Sequence, residues 1–285
     1  MTSATTLQSG NAEQDSSVVD SLLHPQAVLI RRLLTSSERR GMVGLILVDD
    51  SENIVQAIRA GVTIRSVFHL IDTALCTGVQ QILPPKVTIY AVHRRTCKKL
   101  FGTEKESRVF AIAEKPTPRS LDVLPPIRRD IVVLDGIGIA GNIGAIIRTA
   151  SAMGVGGIVI VNADGLEIFD RRVIRASRGY VFGLPVVKAT VRELIQICRL
   201  HEIPLVVTMP GESTTVFSLR GPLAIVYGGE KEGCSVVLRE AANLRIGIPM
   251  TRNAESLNVA AAAAITLYCR YHFNSKSEEE GVWFN

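Results

Sequence analysis

Residues able to do chemistry gather in three short stretches of this chain. Residues 131–148, IVVLDGIGIAGNIGAIIR, carry Asn142 and Arg148 behind a glycine-rich turn. Residues 225–233, IVYGGEKEG, carry Glu230 behind Gly228 and Gly229. Residues 246–260, IGIPMTRNAESLNVA, carry Ser256 and Asn258. A guanidinium reaches a phosphate or a hydroxyl and keeps its proton near neutrality. Glycines let the backbone approach a ligand closely. The five histidines show neither metal nor triad spacing, and no metal site is expected.

The first stretch reads as an apolar strand over 131–134, a turn, and a helix over 142–153 with Asn142 as its cap. Two readings of the turn stay open on the residues alone. Gly136, Gly138 and Gly141 spell G-x-G-x-x-G, and Asp164 follows the next apolar run. That outlines a dinucleotide-binding unit and hence a nicotinamide-dependent oxidoreductase. The other reading puts the weight on NIGAIIR at 142–148. Glu230 then either belongs to the site or caps the helix after Gly233. Ser256 faces the substrate, caps the last helix, or does both.

The chain has 285 residues, 47% of them hydrophobic, and a formal net charge of +5. That length favours two domains. The charge favours an acidic partner, nucleic acid first. The 5 cysteines lie far apart and form no C-x-x-C, which argues against disulfides and zinc and for a reducing cytoplasm. The first 20 residues are polar and lack the apolar core of a signal peptide. Residues 258–271 come nearest to a membrane span, but the run is too short and reads as a buried helix. No membrane association is expected.

Residues 1–17 are low in apolar content and are expected to be disordered. From 18 to 114, strands and helices alternate as a small α/β sandwich. A helix runs from Pro25 to about residue 40, and others follow Asp50 or Ser51, span 73–83 and span 94–101. Strands fall at 45–48, 64–70, 87–92 and 108–113. Residues 115–126, KPTPRSLDVLPP, hold four prolines and read as a semi-rigid linker. From 127 to 274 the alternation continues as a mostly parallel sheet with helices on both faces, closed by a helix over 256–271. Residues 275–285 read as an acidic, solvated tail.

NIGAIIR resembles the first signature of the SpoU (TrmH-type) 2′-O-ribose methyltransferases of the SPOUT class. IVYGGEKEG resembles their second and IPMTRNAESLNVAAAAAI their third, in the family's order. RRVIRASRGYVFGLPVV, at 171–187, is similar to the thiostrepton- and nosiheptide-resistance branch, which methylates large-subunit ribosomal RNA. The likeness covers nearly all of the chain after about residue 31 and is looser before residue 121. It implies a C-terminal α/β-knot domain, a deep trefoil, and an N-terminal domain like ribosomal protein L30e for RNA recognition. It also implies a homodimer.

The resemblance further implies S-adenosylmethionine, bent inside the knot against Thr208, Met209, Tyr227, Gly228, Gly229, Glu230, Ile248, Met250 and Leu257. Carried over in the same way, Asn142, Arg148, Glu230, Ser256 and Asn258 are the catalytic set. Arg148 is expected beside the target ribose, holding a phosphate and steadying the forming alkoxide, while an RNA phosphate oxygen or water takes the proton.

Arg171, Arg175 and Arg178 recur at i, i+4 and i+7, with Arg172 beside them. Phosphate contacts are their expected use. Arg178 is also expected in the active site, in cis or from a second subunit. Arg94, Arg95, Lys98 and Lys99 form a second RNA patch, with Phe101 available for stacking. The leading expectation is therefore a methyltransferase of the 2′-hydroxyl of an adenosine in the ribosomal GTPase-centre RNA, blocking thiopeptide antibiotics. The NAD-dependent oxidoreductase and a non-catalytic RNA-binding protein are the alternatives.

Overall fold

The computed structural model describes residues 17–34, 44–103, 106–124, 128–212, 214, 219–251 and 256–279, with backbone alone for 17 and 274–279. Two α/β units follow one another along the chain, each built on its own sheet.

The first unit runs β1 (Ser17–Val19), α1 (Pro25–Leu34), β2 (Leu45–Asp49), α2 (Ser51–Arg59), β3 (Ile64–Leu70), α3 (Thr77–Ile82), β4 (Thr88–Val92), α4 (Arg94–Phe101) and β5 (Val109–Glu114). Its sheet has the order β1-β4-β3-β5-β2. β1 pairs in parallel with β4, so Ser17, the last residue of the stretch expected to be disordered, lies in a strand. Residues 1–16 and 35–40 carry the rest of that expectation and the end of the first helix, and both lie outside the described residues. The helix expected over 73–83 starts later, because the Thr73 carbonyl is bonded to His69 Nδ1 at 2.8 Å and its N–H to Leu70 O at 2.8 Å, which makes a turn there.

The second unit runs β6 (Ile131–Asp135), α5 (Ala140–Ala152), β7 (Gly157–Val161), α6 (Arg171–Ala176), β8 (Val186–Lys188), α7 (Val191–Leu200), β9 (Leu205–Thr208), β10 (Ala224–Gly228), α8 (Val236–Ala241), β11 (Leu244–Ile246) and α9 (Val259–Glu279). Its sheet has the order β11-β9-β10-β6-β7-β8, and every pairing among the described residues is parallel. β6 and β7 are buried along their whole length, as near-continuous apolar runs in a parallel sheet must be. Gly144 permits a close helix contact: a Cβ there would lie 2.4 Å from Ala176 Cβ, so α5 and α6 touch at this glycine.

Helix α9 extends through Glu279, so the residues expected as the start of a solvated tail continue the helix. No proline or glycine interrupts it before Gly281. Its anchor is Arg270, which is 1% exposed. Arg270 Nε and Nη2 each donate to Asp130 at 2.9 Å, and Nη2 also donates to Gly221 O at 2.6 Å. Asp130 Oδ1 in turn accepts from Leu223 N at 2.9 Å, tying the last helix to the edges of β6 and β10. Residues 252–255, inside the third signature around which the trefoil is expected, lie outside the described residues.

The described part of the expected semi-rigid linker, residues 115–124, docks on the second unit. It forms a short 3-10 turn over Leu121–Val123, Leu124 is buried in the second unit's core, and Arg119 bridges to Val187. The two units also share one apolar core, in which Val48 and Ile54 of the first cluster with Ile143 and Ile174 of the second. Among the described residues no helix is long and apolar enough to cross a membrane.

Candidate active site

A cavity of about 630 Å³ opens where the ends of β9, β10 and β11 meet the start of α9. The family resemblance placed nine residues around a ligand: Thr208, Met209, Tyr227, Gly228, Gly229, Glu230, Ile248, Met250 and Leu257. All nine line this cavity, as do Ser256 and Asn258. The size suits a nucleoside-bearing cofactor, and the lining mixes apolar side chains with backbone groups.

Glycine 228 shows why the loop after β10 has its composition. A Cβ there would sit 2.1 Å from the Gly233 carbonyl carbon, because the loop folds back on itself to an isolated bridge between Gly229 and Gly233. Only a residue without a side chain allows that return. Thr208 Oγ1 donates to Val226 O at 2.8 Å, joining β9 to β10 at the cavity floor. Tyr227 is 1% exposed, and burial pushes its phenol pKa upward. Burial likewise pushes the Cys234 thiol up to about 12. Both stay protonated at neutral pH, so neither supplies a base or a nucleophile.

The three separated stretches meet at the cavity's rim. Asn142 Nδ2 donates to Glu230 Oε1 at 2.6 Å. Asn258 Nδ2 reaches Asn142 Oδ1 at 3.3 Å and Glu230 Oε1 at 3.4 Å. The capping roles differ from those expected. Asn142 lies inside the first turn of α5, after Ile139 as the helix boundary, and makes no cap. Asn258, not Ser256, caps α9: its Oδ1 accepts from Ala260 N at 2.9 Å and Ala261 N at 3.4 Å. Glu230 does not cap α8, since the Ser235 N–H at that helix start goes to Asp135 Oδ2 at 2.6 Å.

Arg148 stands on the exposed side of α5 and does not line the cavity. Six positions along a helix turn it well away from the face of Asn142. The expected RNA patch on α6 is largely an internal fastening. Arg171 is 7% exposed, donates from Nε to Asp49 Oδ2 at 2.5 Å, and lies over the Phe101 ring at 4.7 Å. Arg175 Nε is 3.7 Å from the same carboxylate, and Arg172 Nε pairs with Asp170 at 3.0 Å. Arg178, in left-handed backbone at φ 53, pairs with Glu52 of the first unit and does not line the cavity. Arg171, Arg175 and Arg178 bind carboxylates of the first unit because helix 171–176 packs on β2, which periodicity does not reveal.

The second patch is mixed. Arg95, Lys98 and Lys99 are exposed, whereas Arg94 is paired with Asp72 at 2.6 Å. Phe101 is 3% exposed and packs edge-on against Phe110, so it is not available for stacking a base. The G-x-G-x-x-G turn does not border the cavity, Gly141 lies inside α5, and Asp164 is an exposed turn residue. The first cavity therefore forms elsewhere on the sheet, and the dinucleotide reading gains nothing from it. Residues the sequence reading missed include Gly247, Ala262 and Thr266. The last two follow Asn258 at helical spacing, a signal that was present in the chain.

Comparison with known proteins follows the same division. Residues 130–268 match the SpoU rRNA Methylase family, and residues 16–126 match the thiostrepton-resistance methylase N terminus. The chain is 39% identical to the 23S rRNA (adenosine(1067)-2′-O)-methyltransferase of Streptomyces laurentii, over 82% of this chain and 88% of that one. It is 33% identical to the enzyme of the same description from Streptomyces azureus, over 90% and 97%. An AdoMet-bound rRNA methyltransferase from Sinorhizobium meliloti superposes with a TM-score of 0.77 at 26% identity, over 90% of this chain and 98% of that one. With its signatures joined at one rim and both of its units matched, this chain belongs to the SpoU rRNA methylase family, thiostrepton-resistance type.

Proposed function

We propose that the protein methylates the ribose 2′-hydroxyl of an adenosine in 23S ribosomal RNA, and that this modification protects the ribosome from thiopeptide antibiotics. The observation that carries the reading is the Asn142–Glu230 bond of 2.6 Å, made at the rim of the cavity where Asn258 also points. S-adenosylmethionine supplies an electrophilic methyl on a sulfonium, and the cavity residues fit it: a glycine cradle at Gly228, apolar walls at Ile248 and Leu257, and Thr208 and Met209 at the floor.

The chain's own part is to orient and to stabilise. Glu230 and Asn258 hold Asn142 so that its amide faces the incoming ribose. Arg148 supplies a fixed positive charge for the RNA phosphate and for the oxygen that becomes negative during attack. Held by these residues, S-adenosylmethionine would supply the methyl group to the 2′-oxygen and leave as the neutral thioether. The hydroxyl proton passes to an RNA phosphate oxygen or to water.

A homodimer fits the exposed face that α5 and α9 leave. Ile265 is 42% and Tyr268 57% exposed on α9, which packs against α5, where Arg148 is also exposed. Pairing that face with its copy brings Arg148, and from a second subunit Arg178, toward a neighbouring cavity. Arg95, Lys98 and Lys99 then serve RNA contacts on the first unit. The compartment that fits this substrate is the cytoplasm. The decisive experiment maps 2′-O-methylation on 23S rRNA after incubation with protein and labelled cofactor. Absence of any transferred methyl would leave an RNA-binding protein without catalysis.

A further inference from the structure

A second cavity, of about 530 Å³, lies on the other side of the 229–233 loop from the first. It sits at the carboxyl ends of β6 and β10, between which the strand order changes direction. Open α/β sheets bind ligands in that crevice. The cofactor cavity described above lies one strand further over, so this space is left for something else.

Its floor is built and polar. Asp135 is 2% exposed, and both its oxygens are committed: Oδ1 accepts from Asn162 Nδ2 at 2.7 Å and Oδ2 from Ser235 N at 2.6 Å. The carboxylate therefore orients these two residues. Asn162 is held in left-handed backbone at φ 51. The Ser235 hydroxyl is buried, borders the cavity and has no hydrogen-bond partner among the described residues. A buried hydroxyl without a partner is costly unless a ligand satisfies it. At the mouth stands Ile139, an apolar side chain left 53% exposed.

The two cavities share Gly229 and Glu230, and Asn142 borders the second while bonding to Glu230. Methyl transfer needs its two reactants to meet with the reacting atoms aligned. We infer that the second cavity receives the target nucleoside, swung out of the RNA. Its ribose lies at Asn142 and Glu230, its base rests on Ile139, and the base edge bonds to Ser235 and Asn162. RNA loops present splayed bases to apolar faces and polar edges in this way. The inference rests on the methyltransferase reading and adds to it where the substrate sits.

Gly138 offers the test. It borders this cavity and not the first, it has no positive φ, and a Cβ there would meet nothing within 4 Å. Gly138→Phe thus sets an aromatic side chain at the border of this cavity with no clash at its Cβ. With an rRNA hairpin carrying 2-aminopurine at the target position, the wild type is expected to raise its fluorescence by unstacking the base. Gly138→Phe is expected to bind the hairpin and S-adenosylhomocysteine as the wild type does, give no rise, and lose methyl transfer on the order of 100-fold. Ser235→Ala, which keeps the backbone N–H that Asp135 holds, is expected to raise KM for RNA about 5-fold with kcat unchanged, the loss of one neutral hydrogen bond. A wild-type rise and rate in Gly138→Phe overturn the inference; if that variant does not fold, an unchanged KM in Ser235→Ala overturns it. A wild-type protein that transfers no methyl group removes the methyltransferase reading instead, and the fluorescence still decides the cavity.

Discussion

Asn142 and Glu230, 88 positions apart in the chain, are joined by a 2.6 Å hydrogen bond from the amide Nδ2 to the carboxylate Oε1. The bond couples the first turn of α5 to the loop after β10, one side holding the cofactor cavity and the other facing the rim. Glu230→Ala leaves the Asn142 amide without its acceptor at the site where charge develops. Methyl transfer should fall on the order of 100-fold. Glu230→Gln keeps a carbonyl acceptor and should retain more activity than Glu230→Ala. Labelled-methyl incorporation ranks the two variants, and equal rates would remove Glu230 from the mechanism.

Gly228→Ala forces a Cβ into a space where the Gly233 backbone is 2.1 Å away, so the loop must open. Displacements near 1 Å at a reaction centre cost about 100-fold. Calorimetry with S-adenosylhomocysteine should show weakened binding together with lost turnover. Unchanged affinity would mean that the loop does not shape the cofactor's seat.

Arg148 lies outside the cavity, so its removal should separate binding from chemistry. Arg148→Ala is expected to bind S-adenosylhomocysteine as the wild type does while kcat drops about 100- to 1,000-fold. Normal turnover in this variant would refute the electrostatic role assigned to the guanidinium.

Burial is the largest influence on Asp49 and raises its carboxyl pKa above the ordinary 3.8, against the opposing pull of Arg171. The folded state then binds this proton more tightly than the unfolded state. Between 3.8 and the raised value, stability from this group falls as pH rises; it is fully present below 3.8 and gone above the folded pKa. Asp49→Asn removes this slope. Urea unfolding of both proteins across mildly acidic pH tests it, and a wild-type minus variant difference that grows more favourable with pH would contradict the sign.

Arg270 is almost fully buried and paired twice with Asp130 at 2.9 Å. Arg270→Ala leaves that carboxylate without its cation. Losing one partner of a buried ion pair costs about 3–5 kcal/mol. Denaturant unfolding should show a loss of this order, and a change near zero would mean that solvent reaches Asp130 once the guanidinium is gone.

Much of this arrangement was legible in the chain. The apolar runs of β6, β7, β9 and β10 are local patterns, α4 begins and ends where its spacing predicts, and the residues lining the cofactor cavity were placed by the family resemblance. Other readings went astray because the deciding partner lies far away in sequence. Three arginines at helical spacing look like an RNA face, yet Arg171 and Arg175 turn inward to Asp49, from which Arg171 is 122 positions distant. Asn258 displaces Ser256 as the cap of α9 because the helix starts three residues later than the apolar pattern suggests.

The sequence by itself determined the elements, the glycine loop and the three polar stretches, since each depends on neighbours within a few residues. Which helix face each charge meets was decided only by tertiary packing. A side chain's partner is set by the sheet order and by how α6 rests on β2. The same holds for the second cavity, which exists because β10 comes to lie beside β6 and so brings Ser235 to Asp135, 100 positions away in the chain.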